Sequence, residues 1–296
     1  MTSPTTITWH AHEPLAPLTS WRIGGPARRF TVVHDPAALQ MAVAQADALG
    51  LRWFILGGGS NLLVPDHGWN GAVIRYRDRR CEIERHGDAG LALIGAGAPM
   101  AGTARRLAHL GWAGLEWAEG LPGTIGGAVF GNAGCYGGDT ASTLEYATLL
   151  VDGTLERWNI ARLDYGYRTS ALKRRPGDAP RPVILGAAIR LQRSDPVELA
   201  RRMELTASLR RSRTPWGASC GSVFKNPPGE SAGRLIEAVG LKNSRSGQAM
   251  IAQEHANYII NLGQASSDDV LRLIDQARER VLSHFGITLE LEVQLL

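Results

Sequence analysis

Gly120-Leu121-Pro122-Gly123-Thr124-Ile125-Gly126-Gly127-Ala128, followed by Asn132-Ala133-Gly134, decides the reading of this chain. Each glycine inside a helix or strand costs roughly 1 kcal/mol relative to alanine, so the run predicts neither element. Such a segment serves where the backbone takes positive φ or where its amides touch a ligand. It has no Lys after its glycines and lacks Gly-x-Gly-x-x-Gly spacing, so it is neither a phosphate-binding Walker loop nor a dinucleotide fingerprint. We expect a ribbon of bare backbone laid against a large anionic cofactor. A second ribbon lies upstream, Leu56-Gly57-Gly58-Gly59-Ser60-Asn61-Leu62-Leu63-Val64. Its consecutive unshielded amides suit phosphate oxygens, with Ser60 and Asn61 adding side-chain donors, although a tight turn would also use glycine. Two ribbons without a Rossmann motif point to a permanently bound flavin.

Working outward, the first third alternates strand and helix. Residues 29–34 read as a strand, Asp35-Pro36 as a helix cap with proline at the first position, and 37–49 as a helix stopped by Gly50. Residues 53–56 form a strand feeding the upstream ribbon at its carboxyl end, and 72–76 another. Paired strands follow at 82–85 and 91–94, then a helix over 99–110. Strands are expected at 146–151, 155–158 and 183–191. Asp195-Pro196 repeats the cap signal and opens a helix to about Arg213. A loop (214–229), a helix (232–239), a strand (258–261), a helix (268–285) capped by Ser266 or Ser267, and a last strand (287–295) complete the pattern.

Bulk properties narrow the class. The 296 residues are 44% hydrophobic and 20% charged, ordinary for a globular protein. No apolar run approaches the ~20 residues that cross a bilayer, and the polar start at Met1 to His12 lacks a secretory apolar region, so a cytoplasmic protein is expected. Cys81, Cys135 and Cys220 are isolated, and the eight histidines show no metal spacing, so no metal site is expected. The net charge is +4, but the basic residues are scattered without a nucleic-acid motif. An enzyme for anionic substrates, with no nucleic-acid or membrane partner, is the better reading.

Three further clusters carry chemistry. Tyr165-Gly166-Tyr167-Arg168-Thr169-Ser170 sets an arginine suited to clamp a carboxylate, or equally to stack on tyrosine. Gly221-Ser222-Val223-Phe224-Lys225-Asn226-Pro227 gathers a hydroxyl, an ammonium and an amide; only Lys173, Lys225 and Lys242 among the 32 basic residues are lysines. Such a loop suits proton donation beside an anion, or is an ordinary solvated loop. Leu289-Glu290-Leu291-Glu292-Val293 alternates acid and aliphatic residues, putting both carboxylates on one face of a strand. That face is either wet or supplies a functional acid.

Taken in order, these segments closely resemble the UDP-N-acetylenolpyruvoylglucosamine reductase family of bacterial cell-wall synthesis. The matching stretches are 22–27, Leu56 to Val64, Glu119 to Gly134, Tyr167-Arg168-x-Ser170, Ala218 to Pro227, Ala232 to Lys242, His255-Ala256-Asn257, and Leu289-Glu290-x-Glu292-Val293. The resemblance implies an α+β fold: a two-lobed FAD-binding domain of p-cresol-methylhydroxylase type (1–76 and 77–195) and a C-terminal α/β substrate-binding domain (196–296). It is similar to the shorter family form, without a tyrosine-bearing insertion loop. It implies a monomer with tightly, non-covalently bound FAD and NADPH as co-substrate, reducing the enolpyruvyl ether of UDP-N-acetylglucosamine to UDP-N-acetylmuramate. Implied cofactor contacts are Gly57, Gly58, Gly59, Ser60, Asn61, Gly120, Pro122, Gly123, Thr124, Gly126, Gly127, Ala128, Asn132 and Gly134. Implied catalytic residues are Ser222 as proton donor, with Arg168 and Glu292 on the substrate carboxylate; Tyr167, Lys225 and Asn226 hold the substrate. Leu291 and Gln294 depart from the family's usual proline and arginine, which leaves Glu290 open as the alternative acid. Two rivals stand beside this reading: a flavin oxidase of the same cofactor class, and a non-catalytic flavin or nucleotide-sugar binding module.

Overall fold

A computed structural model describes residues 7–176 and 182–296; the N-terminal residues 1–6 of the sequence reading lie outside it. The described residues gather into two compact units that do not follow chain order. One comprises 7–9, Thr31–Gly58 and Val73–Arg210; the other comprises His10–Phe30, Gly59–Ala72 and Arg211–Leu296.

In the first unit, an antiparallel sheet runs in the order Thr154–Asn159, Leu144–Val151, Val183–Arg193, Ala89–Gly95, Cys81–His86. The short strand Trp112–Ala113 joins the end of Val183–Arg193. Helices Met100–His109 and Ile125–Gly131 bury Leu107, Ile125, Ala128 and Val129 in a core with Leu144, Leu149 and Ile189 of the sheet. A second cluster centres on helix Pro36–Ala48, whose Leu39, Ala42 and Ala46 are fully buried. Its cap is as expected: Asp35 Oδ1 accepts from the Ala38 N–H at 2.8 Å, and Gly50 takes φ +62° just past the end.

The second unit packs helices Ala232–Ala238 and Ser267–Phe285 with a three-stranded antiparallel sheet, Arg245–Ser246, Ala249–Ile251 and Ile259–Asn261. Its core draws on distant parts of the chain. Trp21, Ile23 and Leu63 pack with Val223, Phe224, Ile236, Leu273 and Val293. Trp21 Nε1 donates to Ile259 O at 2.7 Å, and Asn261 Nδ2 donates to Trp21 O at 2.8 Å. Strand Gln294–Leu295 runs parallel to Leu62–Leu63. Among the described residues no helix is long and apolar enough to cross a membrane.

Two expectations are corrected. The glycine run does enter a helix, Ile125–Gly131. Thr124 caps it by accepting the Gly127 N–H, and a Cβ on Gly126 would lie 2.9 Å from Ala96 Cβ. The glycine there serves close packing, and that packing outweighs propensity. The expected strand over 287–295 shrinks to Gln294–Leu295, with one isolated bridge between Leu291 and Phe224. The alternation from Leu289 to Val293 therefore belongs to an extended segment tied down at single points.

Candidate active site

In the first unit the two glycine ribbons touch. A Cβ on Gly57 would lie 2.7 Å from Thr124 Oγ1, and one on Gly58 would lie 2.8 Å from Gly123 Cα. Real Cβ atoms do not approach backbone so closely, so this crossing requires glycine. Gly58 and Gly127 are exposed, and around Gly131 a Cβ would meet nothing within 4 Å. The result is a surface stripped of side chains, which fits a broad, flat cofactor such as FAD. The amides are less available than the sequence suggests. Ile125 N donates to Ala98 O and Gly126 N to Ala96 O, so these positions offer approach rather than donors. Gly120 takes φ +68°, and Pro122 is exposed beside it.

The helix ends at Asn132, left-handed at φ 48°, whose Oδ1 accepts from Ala141 N and whose Nδ2 donates to Gly166 O. That last bond starts a seam to the Tyr165–Ser170 turn. Tyr165 OH donates to Val129 O at 2.8 Å, and Ser170 Oγ donates to Phe130 O at 2.6 Å. Within this turn Arg168 adopts φ 55°, uncommon for a side chain of its size, and its Nη2 donates to Gly134 O at 2.5 Å. Its guanidinium lies 5.3 Å from the centroid of the exposed Tyr167 ring. The structure thus ties the turn that carries Tyr167 and Arg168 to Asn132 and Gly134 at the end of the glycine ribbon.

In the second unit the Ser222 loop is pinned from two sides. Val223 O accepts from Glu292 N at 2.9 Å, and Lys225 N donates to Glu290 O at 2.9 Å. On the other side Asn257 holds Phe224 through both of its main-chain groups. Ser222 and Glu292, both half-buried, therefore sit on neighbouring backbone. Asn61 joins them: its Nδ2 donates to Glu292 O at 3.1 Å, and its carbonyl accepts from Gln294 N at 3.0 Å. Gly59, at φ +62°, and Ser60 lead into that contact; a Cβ on Gly59 would strike Leu18 O.

The two acids now differ. Glu290 is 74% exposed and pairs with Lys225 Nζ at 2.7 Å. Glu292 is held by its main chain beside the Ser222 loop. Asn226 Oδ1 accepts from Ala232 N and so helps cap helix Ala232–Ala238. Sequence reasoning missed Asn257 as the pin of this loop; the motif His255-Ala256-Asn257 was the available signal. It also missed Arg210, which binds Glu119 O and the Cys135 sulfur. Burial pushes the Cys135 and Cys220 thiols up, to about 12 for Cys220, so neither is a thiolate nucleophile at neutral pH. No group of three or more His, Cys, Asp or Glu among the described residues is placed to hold a metal ion.

Comparison with known proteins shows the family. The family model described as UDP-N-acetylenolpyruvoylglucosamine reductase, C-terminal domain, matches residues 213–296, and that of an FAD binding domain matches 27–159. The UDP-N-acetylenolpyruvoylglucosamine reductase of Chloroflexus aggregans is 52% identical over 294 residues, covering 98% of both chains. That of Rubrobacter xylanophilus is 43% identical over 96% of this chain and 93% of its own. The crystal structure of UDP-N-acetylenolpyruvylglucosamine reductase from Thermus caldophilus superposes with a TM-score of 0.79 at 35% identity, covering 98% of each chain. The chain belongs to the UDP-N-acetylenolpyruvoylglucosamine reductase family, oxidoreductases with an FAD-binding domain joined to a family-specific C-terminal domain.

Proposed function

We propose that this protein is a cytoplasmic, monomeric, NADPH-dependent flavoenzyme. It reduces the enolpyruvyl ether of UDP-N-acetylglucosamine to the lactyl ether of UDP-N-acetylmuramate, a step in peptidoglycan precursor synthesis. The observation that carries it is the Ser222 loop hydrogen-bonded to the Glu292 segment, which sets a hydroxyl and a carboxylate on adjacent backbone. Functionally, 1–76 and 77–195 form the two lobes for FAD and 196–296 the substrate domain.

The residues that would hold FAD are Gly57, Gly58, Gly59, Ser60 and Asn61 in one ribbon, and Gly120, Pro122, Gly123, Thr124, Gly126, Gly127, Ala128, Asn132 and Gly134 in the other. FAD, when bound, would supply the redox chemistry: a hydride for the vinyl carbon remote from the substrate carboxylate, with NADPH as the reductant. The neighbouring carbon then carries enolate charge. Arg168 binds the carboxylate and stabilises that charge electrostatically, and Glu292 acts with it in polarising the group. Ser222 donates the proton that quenches the enolate: a serine hydroxyl is a weak acid, but an enolate is basic enough to take its proton. Tyr167, Lys225 and Asn226 hold the remainder of the anionic substrate.

NADPH and the sugar nucleotide use the cofactor in turn, so the kinetics are ping-pong and initial-velocity lines are parallel. The Ser222→Ala variant separates this reading from a passive binding module. It keeps its reduction by NADPH and loses reoxidation by the enolpyruvyl substrate, on the order of 10³-fold. Undiminished reoxidation would remove Ser222 from the reaction.

A further inference from the structure

The ribbon from Gly120 to Gly134 begins and ends at one point, and an arginine outside both ribbons ties that point together. Arg210 lies in the last turn of helix Pro196–Arg213. Its Nε donates to Glu119 O at 3.1 Å, just before the ribbon, and its Nη2 donates to Cys135 Sγ at 3.2 Å, just after it. The thiol in turn donates to Trp117 O at 3.1 Å. Burial holds Cys135 in its protonated form, which keeps that donor in place. The Arg210 guanidinium also lies 5.3 Å from the centroid of the Tyr136 ring.

The fit is close. A Cβ on Gly120 would lie 2.8 Å from Arg210 Cδ, and one on Gly138 would lie 2.3 Å from Trp117 Cγ. The Glu119 side chain is fixed separately, by Arg105. Two donors of one rigid, planar fork therefore join the two feet of the loop, a fixed geometry that the point charge of an ammonium does not reproduce.

We propose that Arg210 is a positioning residue for FAD binding: it clasps Glu119 to Cys135 and so holds the glycine ribbon in its cofactor-competent shape. This rests on the ribbon being a cofactor contact. Removing the clasp leaves the helix, whose Leu199 and Met203 remain buried, and frees the loop ends.

The test is titration of the flavin-free full-length protein with FAD, followed by fluorescence, for wild type, Arg210→Lys and Arg210→Ala, with the melting temperature of each flavin-free protein. Lysine retains the packing stem but spans only one of the two acceptors. The expected result is that Arg210→Lys melts as wild type does, while its Kd for FAD rises about tenfold, the worth of one or two hydrogen bonds. Arg210→Ala binds no more tightly than Arg210→Lys. An Arg210→Lys protein that binds FAD within twofold of wild type would overturn the clasp, as would weaker binding matched by a fall in its melting temperature. Wild-type protein that takes up no FAD would instead overturn the cofactor reading itself.

Discussion

The Asn257 side chain holds Phe224 by both ends of its peptide: Oδ1 accepts the Phe224 N–H at 2.9 Å and Nδ2 donates to Phe224 O at 2.8 Å. All of these groups are buried. Losing them leaves two main-chain groups unsatisfied two residues from Ser222, at about 1–3 kcal/mol each. Asn257→Ala should therefore lose about 2–6 kcal/mol in a denaturant titration. Reoxidation by the enolpyruvyl substrate should slow while reduction by NADPH does not. Equal slowing of both half-reactions would count against a local role.

The crossing of Gly58 over Gly123 makes a second prediction. A Gly58→Ala Cβ would lie 2.8 Å from backbone, not from a flexible side chain, so the ribbons must separate. FAD affinity should fall about tenfold or more, the size of an overpacking penalty of 1–3 kcal/mol. Gly102→Ala is the control: its Cβ meets only Pro99 Cβ, at 3.7 Å, within helix Met100–His109. Equal FAD affinity in Gly58→Ala and the control would show that the crossing does not shape the site.

What the sequence disclosed follows from the range of each signal. Local signals read true: Asp35-Pro36 opens Pro36–Ala48, Ser266 caps Ser267–Phe285 and Gly286 ends it at φ 68°. Helix Ile125–Gly131 was hidden because Gly126 answers to Ala96, a neighbour that no local window contains. The pattern from Leu289 to Val293 read as a strand because alternation records burial, while a strand also needs a partner along its length. The site residues were legible as motifs, but not their partners. Asn257 lies 33 residues from Phe224, and Asn61 lies 231 from Glu292. That 59–72 packs with the C-terminal unit has no mark in composition or periodicity.

The pairing of Glu290 with Lys225 separates the two acids by experiment. Glu290→Gln removes an exposed ion pair, worth about 0–1 kcal/mol, so kcat should stay within about threefold. Glu292→Gln should lower kcat by about 10²-fold or more, in the range of a lost acid–base or polarising group. The opposite ranking would move the catalytic role to Glu290.

His255 supplies a pH dependence. Its Nδ1 accepts the Asn257 N–H at 3.2 Å, and burial holds its pKa below the ordinary imidazole value. The folded state therefore prefers the neutral ring, whereas the unfolded chain takes up a proton near pH 6.5. Stability from this group is complete above about pH 6.5 and drains away as the pH falls below it. The melting temperature should drop between pH 7 and 5.5, and less steeply in His255→Gln. Identical slopes would mean that His255 does not contribute.

The most direct test is an anaerobic half-reaction. Purified protein should be yellow, bleach with one equivalent of NADPH, and regain its colour with one equivalent of UDP-N-acetylglucosamine enolpyruvate, giving the lactyl ether as product. Colourless protein that takes up no FAD, or reduced protein that the enolpyruvyl sugar fails to reoxidise, would contradict the account.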